Sequence, residues 1–332
     1  MTPRLCRGGS WRPPRHNPCV QNFLMNFMNN SIRWCLLILL FACFSSACLA
    51  EELDPRRWAH LPIDTNFFGT GYAYTDANIA FDPVLKIVDG QMELHTWAAQ
   101  YIRTFTLLEK SARVDLLQGY QEGRWSGLLD GVPTTVKRSG WSDTFLRFAI
   151  NLYGAPPLQG KEYAAYRAAT EVETIVGAGL SVQLPTGEYL DDKLINLGTN
   201  RFTFRPQIGV VHTRGNWTVE TTGIVALYSA NNDFFNGMKL EQDPLYILNG
   251  HLIYTFRPGT WAGASAGYDY GGKSTVDGVS KDDRKQDRVW ALSFGFPVSR
   301  HLGIKMAYIN SHTQEATGID SEIYTIGASV FW

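Results

Sequence analysis

The sequence has 332 residues, a formal net charge of −1 and 45% hydrophobic residues. A charge so close to zero excludes a partner held mainly by a basic surface, and we therefore expect no nucleic-acid partner. All five cysteines precede residue 50, which excludes a disulfide framework, a thiolate metal site and a cysteine nucleophile from the rest of the chain.

The first fifty residues have the layout of a targeting segment. In residues 28–50, Arg33 precedes an apolar run over 34–44, and small residues follow up to Ala50. This order is typical of a secretory signal peptide, and the run of about eleven residues is shorter than the ~20 that a membrane-spanning helix needs. A lipoprotein site ending at Cys43 is the alternative, but Phe41 suits it badly.

Residues 1–27 contain several prolines and arginines and are expected to be an upstream extension. The exported protein then begins near residue 51. Residues 51–65 form a periplasmic N-terminal segment, which either enters the fold as a plug or trails in the periplasm. The remaining residues, 66–332, carry the fold.

Alternating hydrophobicity runs through the whole of 66–332. A period of two over ten to fifteen residues predicts strands that are long enough to cross a bilayer when tilted. We therefore predict an all-β fold, a transmembrane antiparallel β-barrel of about twelve strands. The predicted strands are 66–78, 91–105, 111–124, 141–153, 171–184, 200–212, 217–229, 248–257, 261–271, 287–298, 301–311 and 321–332.

The connections alternate between long and short, as the outer and periplasmic turns of an outer-membrane barrel do. One periplasmic return is long, 154–170, and its KEYAAYRAA stretch predicts a short helix. The other returns are a few residues long. The predicted outer loops are 79–90, 125–140, 185–199, 230–247, 272–286 and 312–320.

Charged residues recur on one face of the predicted strands, as Arg147 does between Leu146 and Phe148. A charge facing lipid at mid-depth costs about 2–4 kcal/mol, so these faces should point into the lumen. The lumen is then either filled by salt-bridged side chains or open as a narrow polar channel. The pore-lining candidates are Glu93, Arg103, Arg113, Asp115, Arg147, Glu171, Glu173, Arg205, Glu220, His251, Arg257 and Lys305. A soluble exported sandwich explains the alternation but not the central charges.

The last strand, SEIYTIGASVFW, resembles the terminal signal of outer-membrane proteins, in which a final aromatic residue ends an alternating strand. The resemblance implies recognition by the barrel-assembly machinery. The residues of this membrane-assembly signal are Tyr324, Ile326, Ala328, Val330 and Trp332.

Three stretches resemble one family more closely. They are VETIVGAGLSVQLPTGEYLDDKLINLGTNRFTFRPQIGVV at 172–211, LYGAPPLQGKEYAAYR at 152–167 and LYSANNDFFNGMKLEQDPLYIL at 227–248. They look like the outer-membrane transporter family named for the meta-pathway of phenol degradation. The resemblance implies an outer-membrane channel, often linked with aromatic catabolism, and gives no substrate by itself.

A hydrolase in the outer membrane is the alternative of a different class. Such an enzyme needs a nucleophile, a base and an orienting group close together. None of the histidines lies in a GxSxG context, and the sequence has no HExxH motif. His251 and His95 are therefore interpreted as wall residues that face the lumen, and we expect no catalytic residue, metal site or cofactor.

The sequence thus favours a channel in the bacterial outer membrane for passive passage of small molecules, including aromatic or hydrophobic compounds. A closed structural barrel without transport is the second reading. The expected partners are outer-membrane lipid, lipopolysaccharide, the assembly machinery and a small-molecule solute. Phe234 and Phe235 in an outer loop either meet an aromatic solute or fold back to cap the loop. Arg284, Lys285 and Arg288 are candidates to contact lipopolysaccharide phosphates.

Overall fold

The computed structural model describes residues 53–81 and 87–332, without the side chains of residue 87. The upstream extension, 1–27, and the signal peptide, 28–50, which the sequence predicts, lie outside these residues. Within the described ranges, no helix is long and apolar enough to span a membrane.

The described chain forms seventeen strands and one helix. The helix is α1 (Gly160–Ala169), within the periplasmic return where a helix is predicted. The strands are β1 (Asn66–Ala80), β2 (Ile87–Leu107), β3 (Lys110–Leu129), β4 (Val132–Trp141), β5 (Thr144–Tyr153), β6 (Val172–Leu184), β7 (Thr203–Arg214), β8 (Trp217–Tyr228), β9 (Asn231–Phe234), β10 (Met238–Gln242), β11 (Leu245–Arg257), β12 (Thr260–Gly271), β13 (Ser274–Val276), β14 (Val279–Ser280), β15 (Lys285–Pro297), β16 (Leu302–Thr313) and β17 (Gly318–Phe331).

Thirteen of these strands make one antiparallel sheet that closes on itself. β4 and β5 pair with successive parts of β3, so together they are one crossing interrupted at Ser142 and Asp143. The wall is therefore a closed barrel of twelve antiparallel strands, as predicted. Closure leaves no sheet edge with unpaired backbone groups, which is what hydrocarbon requires.

The two ends of the chain complete the wall. β1 pairs with β17 from Phe67 opposite Phe331 to Ala80 opposite Gly318. Asn66 and Trp332 exchange two backbone hydrogen bonds of 3.0 and 3.1 Å. Four residues of the predicted assembly signal are exposed on the outer face of β17, and Trp332 is 63% exposed beside them. Its recognition by the assembly machinery stays a prediction.

The polarity of the barrel is inverted relative to that of a soluble protein. Large apolar side chains such as Leu146, Ile208 and Leu292 are exposed on the outer face. Arg147, Arg205 and Glu220 are buried in the interior. Exposed apolar patches of this extent mark contact with lipid or protein, and charges avoid lipid. The fold is that of a bacterial outer-membrane barrel.

Three outer connections differ from their prediction as loops. Much of 125–140 is a hairpin, in which Asp130 and Gly131, both at positive φ, join the extended β3 to β4. The segments 230–247 and 272–286 contribute a separate four-stranded sheet of β9, β10, β13 and β14. An Asp-Gly or Asn-Gly pair fits a two-residue hairpin turn because both central residues need positive φ.

This outer sheet, β9–β10–β13–β14, has a core of its own. Phe234 and Phe235 are 2% and 8% exposed and pack with Leu240 and Val276. Of the two roles considered for the phenylalanine pair, the structure therefore has them capping their own loop. They present no aromatic surface to a solute.

Asp143 anchors the outer segment 185–202 at the break between β4 and β5. Its buried carboxylate accepts hydrogen bonds from Gln183 Nε2 at 2.8 Å, Gly187 N at 2.9 Å and both Thr199 N and Thr199 Oγ1, at 2.9 and 2.6 Å. Hydrogen bonds to a charged acceptor are stronger than neutral ones. The carboxylate thus ties the longest outer connection to the wall.

We expect Asp143→Ala to loosen this outer segment. Four donor groups from three residues lose a common acceptor, and a buried unsatisfied donor costs about 1–3 kcal/mol. Trypsin cleavage after Lys193 should become much faster while the heat-dependent gel shift of the barrel persists. Glu188→Ala, in the same segment but exposed and away from the cleaved bond, is the matched control and should cleave like the parent. Equal cleavage rates in all three proteins would contradict the anchoring role.

Candidate functional site in the lumen

We call the N-terminal residues 53–65 the plug segment; residues 53–60 lie inside the barrel, and residues 61–65 run along its periplasmic rim. Leu53 is 4% exposed and packs in a cluster with Val289, Ala291, Ile309 and Ile323 on the inner wall. From there the segment descends to Asn66, where β1 begins. Of the two positions considered for this segment, the structure therefore has residues 53–60 in the lumen.

Glu220 on β8 holds the middle of the plug segment. Arg56 N donates to its Oε2 and Arg57 N donates to its Oε1, each at 3.0 Å. Arg113 on β3 donates from Nη2 to the Arg57 carbonyl oxygen at 2.6 Å. A buried backbone group needs a partner, and these wall residues supply it where no strand can pair with the segment.

Trp58 fills the lumen beside two glycines. Its Nε1 donates to Thr222 Oγ1 at 3.0 Å, and the residue is 2% exposed. A Cβ atom at Gly209 would lie 1.9 Å from Trp58 Nε1, and one at Gly177 would lie 2.3 Å from Cε3. Glycine within a strand commonly marks such a close approach. The indole therefore fits only because both wall positions lack a side chain.

A charged cluster surrounds the indole ring. Arg147 Nη1 lies 3.0 Å from Asp115 Oδ2, and Arg113 Nε lies 3.4 Å from Asp115 Oδ1. The Arg147 guanidinium lies over the Trp58 ring, 4.8 Å from its centroid. A cation over an aromatic face is attracted to it, more strongly where water is excluded. These residues fill this part of the lumen rather than leave it open.

The periplasmic end of the plug segment is held by α1. Tyr163 Oη donates to the His60 carbonyl oxygen at 2.9 Å, and burial raises the pKa of this phenol, so it remains a donor. The His60 ring contacts Tyr163 and Tyr166 edge-on, and its Nδ1 lies 3.4 Å from Glu173 Oε1. The helix thus packs against the plug segment at the periplasmic end of the barrel.

A cavity of about 400 Å³ remains in the lumen beside the plug segment. Its wall follows one hydrogen-bonded row across five strands, in which the first four residues are Gly or Ala. The row is Gly119, Ala98, Gly71, Gly327 and Lys305. Small residues leave the room, and the volume lies in the range of pockets for small ligands.

Lys305 and Asp54 carry opposite charges at this cavity. Lys305 Nζ lies 2.5 Å from Asp54 Oδ1, and both residues line the cavity. Other lining side chains include Phe67, Phe145 and Ile323, with hydroxyl and amide groups between them. The site combines apolar surface with one ion pair.

Eight of the twelve pore-lining candidates have side chains inside the barrel. They are Arg113, Asp115, Arg147, Glu173, Arg205, Glu220, His251 and Lys305. Most of them contact the plug segment or one another, which the sequence does not reveal. Trp58, Asp54, Gly177 and Gly209 are the functional residues that sequence reasoning missed, and glycines within lumen-facing strands were the available signal.

Four candidates do not lie in the lumen. Glu93 is exposed on the outer face of β2, together with His95, because Met92 and Leu94 turn inward against the outer segment 185–202. Where the strand extends beyond the membrane, its inward side chains pack in an apolar cluster and its outward side chains contact water. The alternation of polar and apolar residues is therefore reversed there. Arg103 has the same outward parity and pairs with Asp64 at 3.3 Å.

The other two corrections lie at the periplasmic rim. Glu171 precedes β6, and Arg257 ends β11; both are exposed. By the alternation of their strands both residues belong to the lumen face, but each lies at the periplasmic end of its strand, where the barrel wall stops. Residues of the described chain form no cluster of three or more His, Cys, Asp or Glu side chains that could hold a metal ion.

Comparisons with known proteins agree with this architecture. Residues 75–303 match the family described as putative MetA-pathway of phenol degradation. An outer membrane channel from Pseudomonas putida F1 shares the fold with a TM-score of 0.67 and 20% identity over 84% of this chain and 99% of that one. No curated protein matches the sequence.

Two autotransporter domains are more distant structural matches. The translocator domain of NalP from Neisseria meningitidis has a TM-score of 0.46 and 12% identity over 88% of this chain and 98% of that one. The β domain of the Bordetella autotransporter BrkA has a TM-score of 0.44 and 10% identity over 81% and 100%.

We expect Gly209→Ala to expel Trp58 from its position, since the new methyl group would overlap the indole nitrogen. The plug segment should then become cleavable by trypsin after Arg56 or Arg57, as detected by mass spectrometry of the N-terminal fragment. Gly223→Ala is the control, because a Cβ there meets nothing within 4 Å. A Gly209→Ala barrel as resistant as the control would contradict the packing described.

Proposed function

Because the chain belongs to the family described as putative MetA-pathway of phenol degradation, we propose that it is an outer-membrane channel for passive passage of small molecules. The solutes are small aromatic or hydrophobic compounds. The solved channel from Pseudomonas putida F1 supports this proposal through the shared barrel. A shared fold does not establish function, so the main support for the proposal comes from the structure of the lumen.

The observation that carries the proposal is how the lumen is closed. In small barrels the side chains of the wall fill the whole lumen. Here wall side chains such as Arg147 fill only part of it, and a single chain segment closes the rest, held by hydrogen bonds to Glu220 and Thr222 and by packing on Gly177 and Gly209. A segment tethered at Asn66 can leave without opening the wall. The 400 Å³ cavity shows that space for a small solute exists even with the segment in place.

A closed structural barrel is the alternative function. In that case the plug segment is a permanent part of the core, and the buried charges serve only to pair with it. The discriminating measurement is the flux of solute, since a permanent plug never conducts. Hydrogen bonds from two backbone amides to one carboxylate are also compatible with permanent closure.

The enzyme alternative has one contact to weigh. His251 Nδ1 lies 2.8 Å from Ser265 Oγ in the lumen, and Glu220 stands opposite His251 across the strands. A catalytic base needs its acid partner free to orient it. Both carboxylate oxygens of Glu220 bind plug amides instead. We therefore interpret the pair as a wall contact and propose that the protein is not an enzyme.

Processing and partners complete the proposal. Residues 28–50 are a signal peptide that is removed on export, and 1–27 are an upstream extension. The alternating last strand is read by the barrel-assembly machinery. The exposed cationic residues Arg284 and Arg288 lie at the outer end of β15, where lipopolysaccharide phosphates are available; Arg284 also pairs with Glu315 at 3.0 Å.

We expect Glu220→Ala to raise conductance in planar bilayers. The substitution leaves two plug amides without their acceptor, so the segment should spend more time outside the lumen. The parent should show small or rare steps, and the variant larger or more frequent ones. Glu241→Ala, which removes the same charge from the outer sheet, should behave like the parent. A folded, heat-shifting Glu220→Ala barrel that never conducts would favour the closed structural barrel.

A further inference from the structure

Lys305 places a positive charge at the cavity. The passage of neutral solutes does not require such a charge. Among the described residues that line the cavity, Lys305 and Asp54 are the charged ones, and all strand residues beside Lys305 in its row are glycine. A wall built only to pass apolar molecules gains nothing from an ammonium group there. The plug segment brings the carboxylate that neutralises it.

We propose that Lys305 is the anion-binding group of a solute site that takes small carboxylates with an apolar body, aromatic monocarboxylates above all. Asp54 is the internal occupant of that site, and an incoming carboxylate displaces it. The inference rests on the proposed channel function and names the class of solute. No covalent step is involved, only exchange of one carboxylate for another on the same ammonium group.

The shape of the cavity fits this class. The aromatic side chains Phe67 and Phe145 and the aliphatic Ile102, Leu117 and Ile323 line it around the ion pair. A planar ring can lie against this surface while its carboxylate reaches Lys305 Nζ. The glycine row leaves the width that the ring needs. One cation and one apolar wall together select a monocarboxylate over both neutral and multiply charged solutes.

The ion pair is weak enough to exchange. The Lys305 and Asp54 side chains are 39% and 42% exposed inside the lumen. Ion pairs that are this exposed to solvent contribute little to stability. The tether gives Asp54 a high effective concentration at Lys305, so a free carboxylate binds less tightly than it would to an unoccupied ammonium group.

Displacement of Asp54 also weakens the plug. Asp54 follows Leu53, whose side chain packs in the wall cluster with Val289 and Ile323. Movement of the Asp54 carboxylate away from Lys305 displaces the adjacent Leu53 and weakens its packing in this cluster. A solute that binds only when Asp54 has left Lys305 shifts the population of molecules toward those in which residues 53 and 54 of the plug segment are released. The same site thus selects the solute and responds to it.

Titration calorimetry of the detergent-purified protein with benzoate and with benzamide tests the proposal at constant ionic strength. The two probes have similar shape, and only benzoate is charged. The parent should bind benzoate more tightly than benzamide. Lys305→Gln should lower benzoate affinity severalfold, because the carboxylate loses its ammonium partner in a partly solvated site, and should leave benzamide unchanged.

Asp54→Asn should act in the opposite direction. Without the internal carboxylate, benzoate affinity should rise severalfold above that of the parent, with benzamide again unaffected. Lys239→Gln, on the outer sheet, is the charge-matched control for Lys305→Gln and should bind as the parent does. Because Asp54→Asn predicts a gain, misfolding of another variant cannot imitate the expected result.

Two results would overturn the proposal. One is benzoate binding that is unchanged in both Lys305→Gln and Asp54→Asn. The other is a parent and an Asp54→Asn protein that both bind benzamide as well as benzoate. Failure of the channel function looks different: the predicted benzoate pattern in a barrel without solute flux keeps the site and rejects transport. Flux of neutral aromatics without any benzoate preference rejects the site and keeps the channel.

Discussion

The bond between Glu220 and the plug segment is the interaction on which the closed lumen depends. One buried carboxylate receives the amides of Arg56 and Arg57. Inside the barrel a strandless backbone has no ladder to join, so its amides need side-chain acceptors. Glu220 in turn needs donors, because a buried charge without partners is costly. Each partner therefore requires the other.

Glycine decides where the interior is full and where it is empty. Gly177 and Gly209 give room to Trp58, so the absence of two side chains makes the plug fit. Gly71 and Gly327 have no such occupant, and the cavity lies beside them. The wall is the same kind of sheet in both places. The difference is that the plug segment lies directly over Gly177 and Gly209 but passes beside Gly71 and Gly327.

The periodicity of the sequence is enough to predict the barrel, its strand number and the periplasmic helix, because lipid outside and charge inside impose one alternation on every strand. The prediction fails for Glu93 on β2, where the strand rises above the membrane and Met92 and Leu94 pack inward. It also fails for Arg103, whose Asp64 partner belongs to the plug segment. The sequence of one strand shows which residues share a face. Which face points inward depends on segments that are distant in the sequence.

The site was less predictable than the wall. Lys305 and Glu220 were identifiable as inward charges, but their partners, Asp54 and the Arg56 and Arg57 amides, lie more than 160 residues away in sequence. Nothing in residues 53–65 has a strand or helix pattern that would place it. The hairpin turns at Asp130-Gly131 and Asn236-Gly237 lie in segments predicted as loops, although Asp-Gly and Asn-Gly pairs suit the positive φ that both turn residues take.

Amide hydrogen exchange of the plug segment in the detergent-purified protein tests the central claim most directly. Peptides covering residues 54–60 should exchange nearly as slowly as the wall strands, because the Arg56 and Arg57 amides donate to buried Glu220 and Ala59 N donates to the Arg56 carbonyl oxygen. Exchange at the rate of an unstructured peptide, with the strands still protected, would contradict the account. The lumen would then be open, and Glu220 would have no partner from the segment.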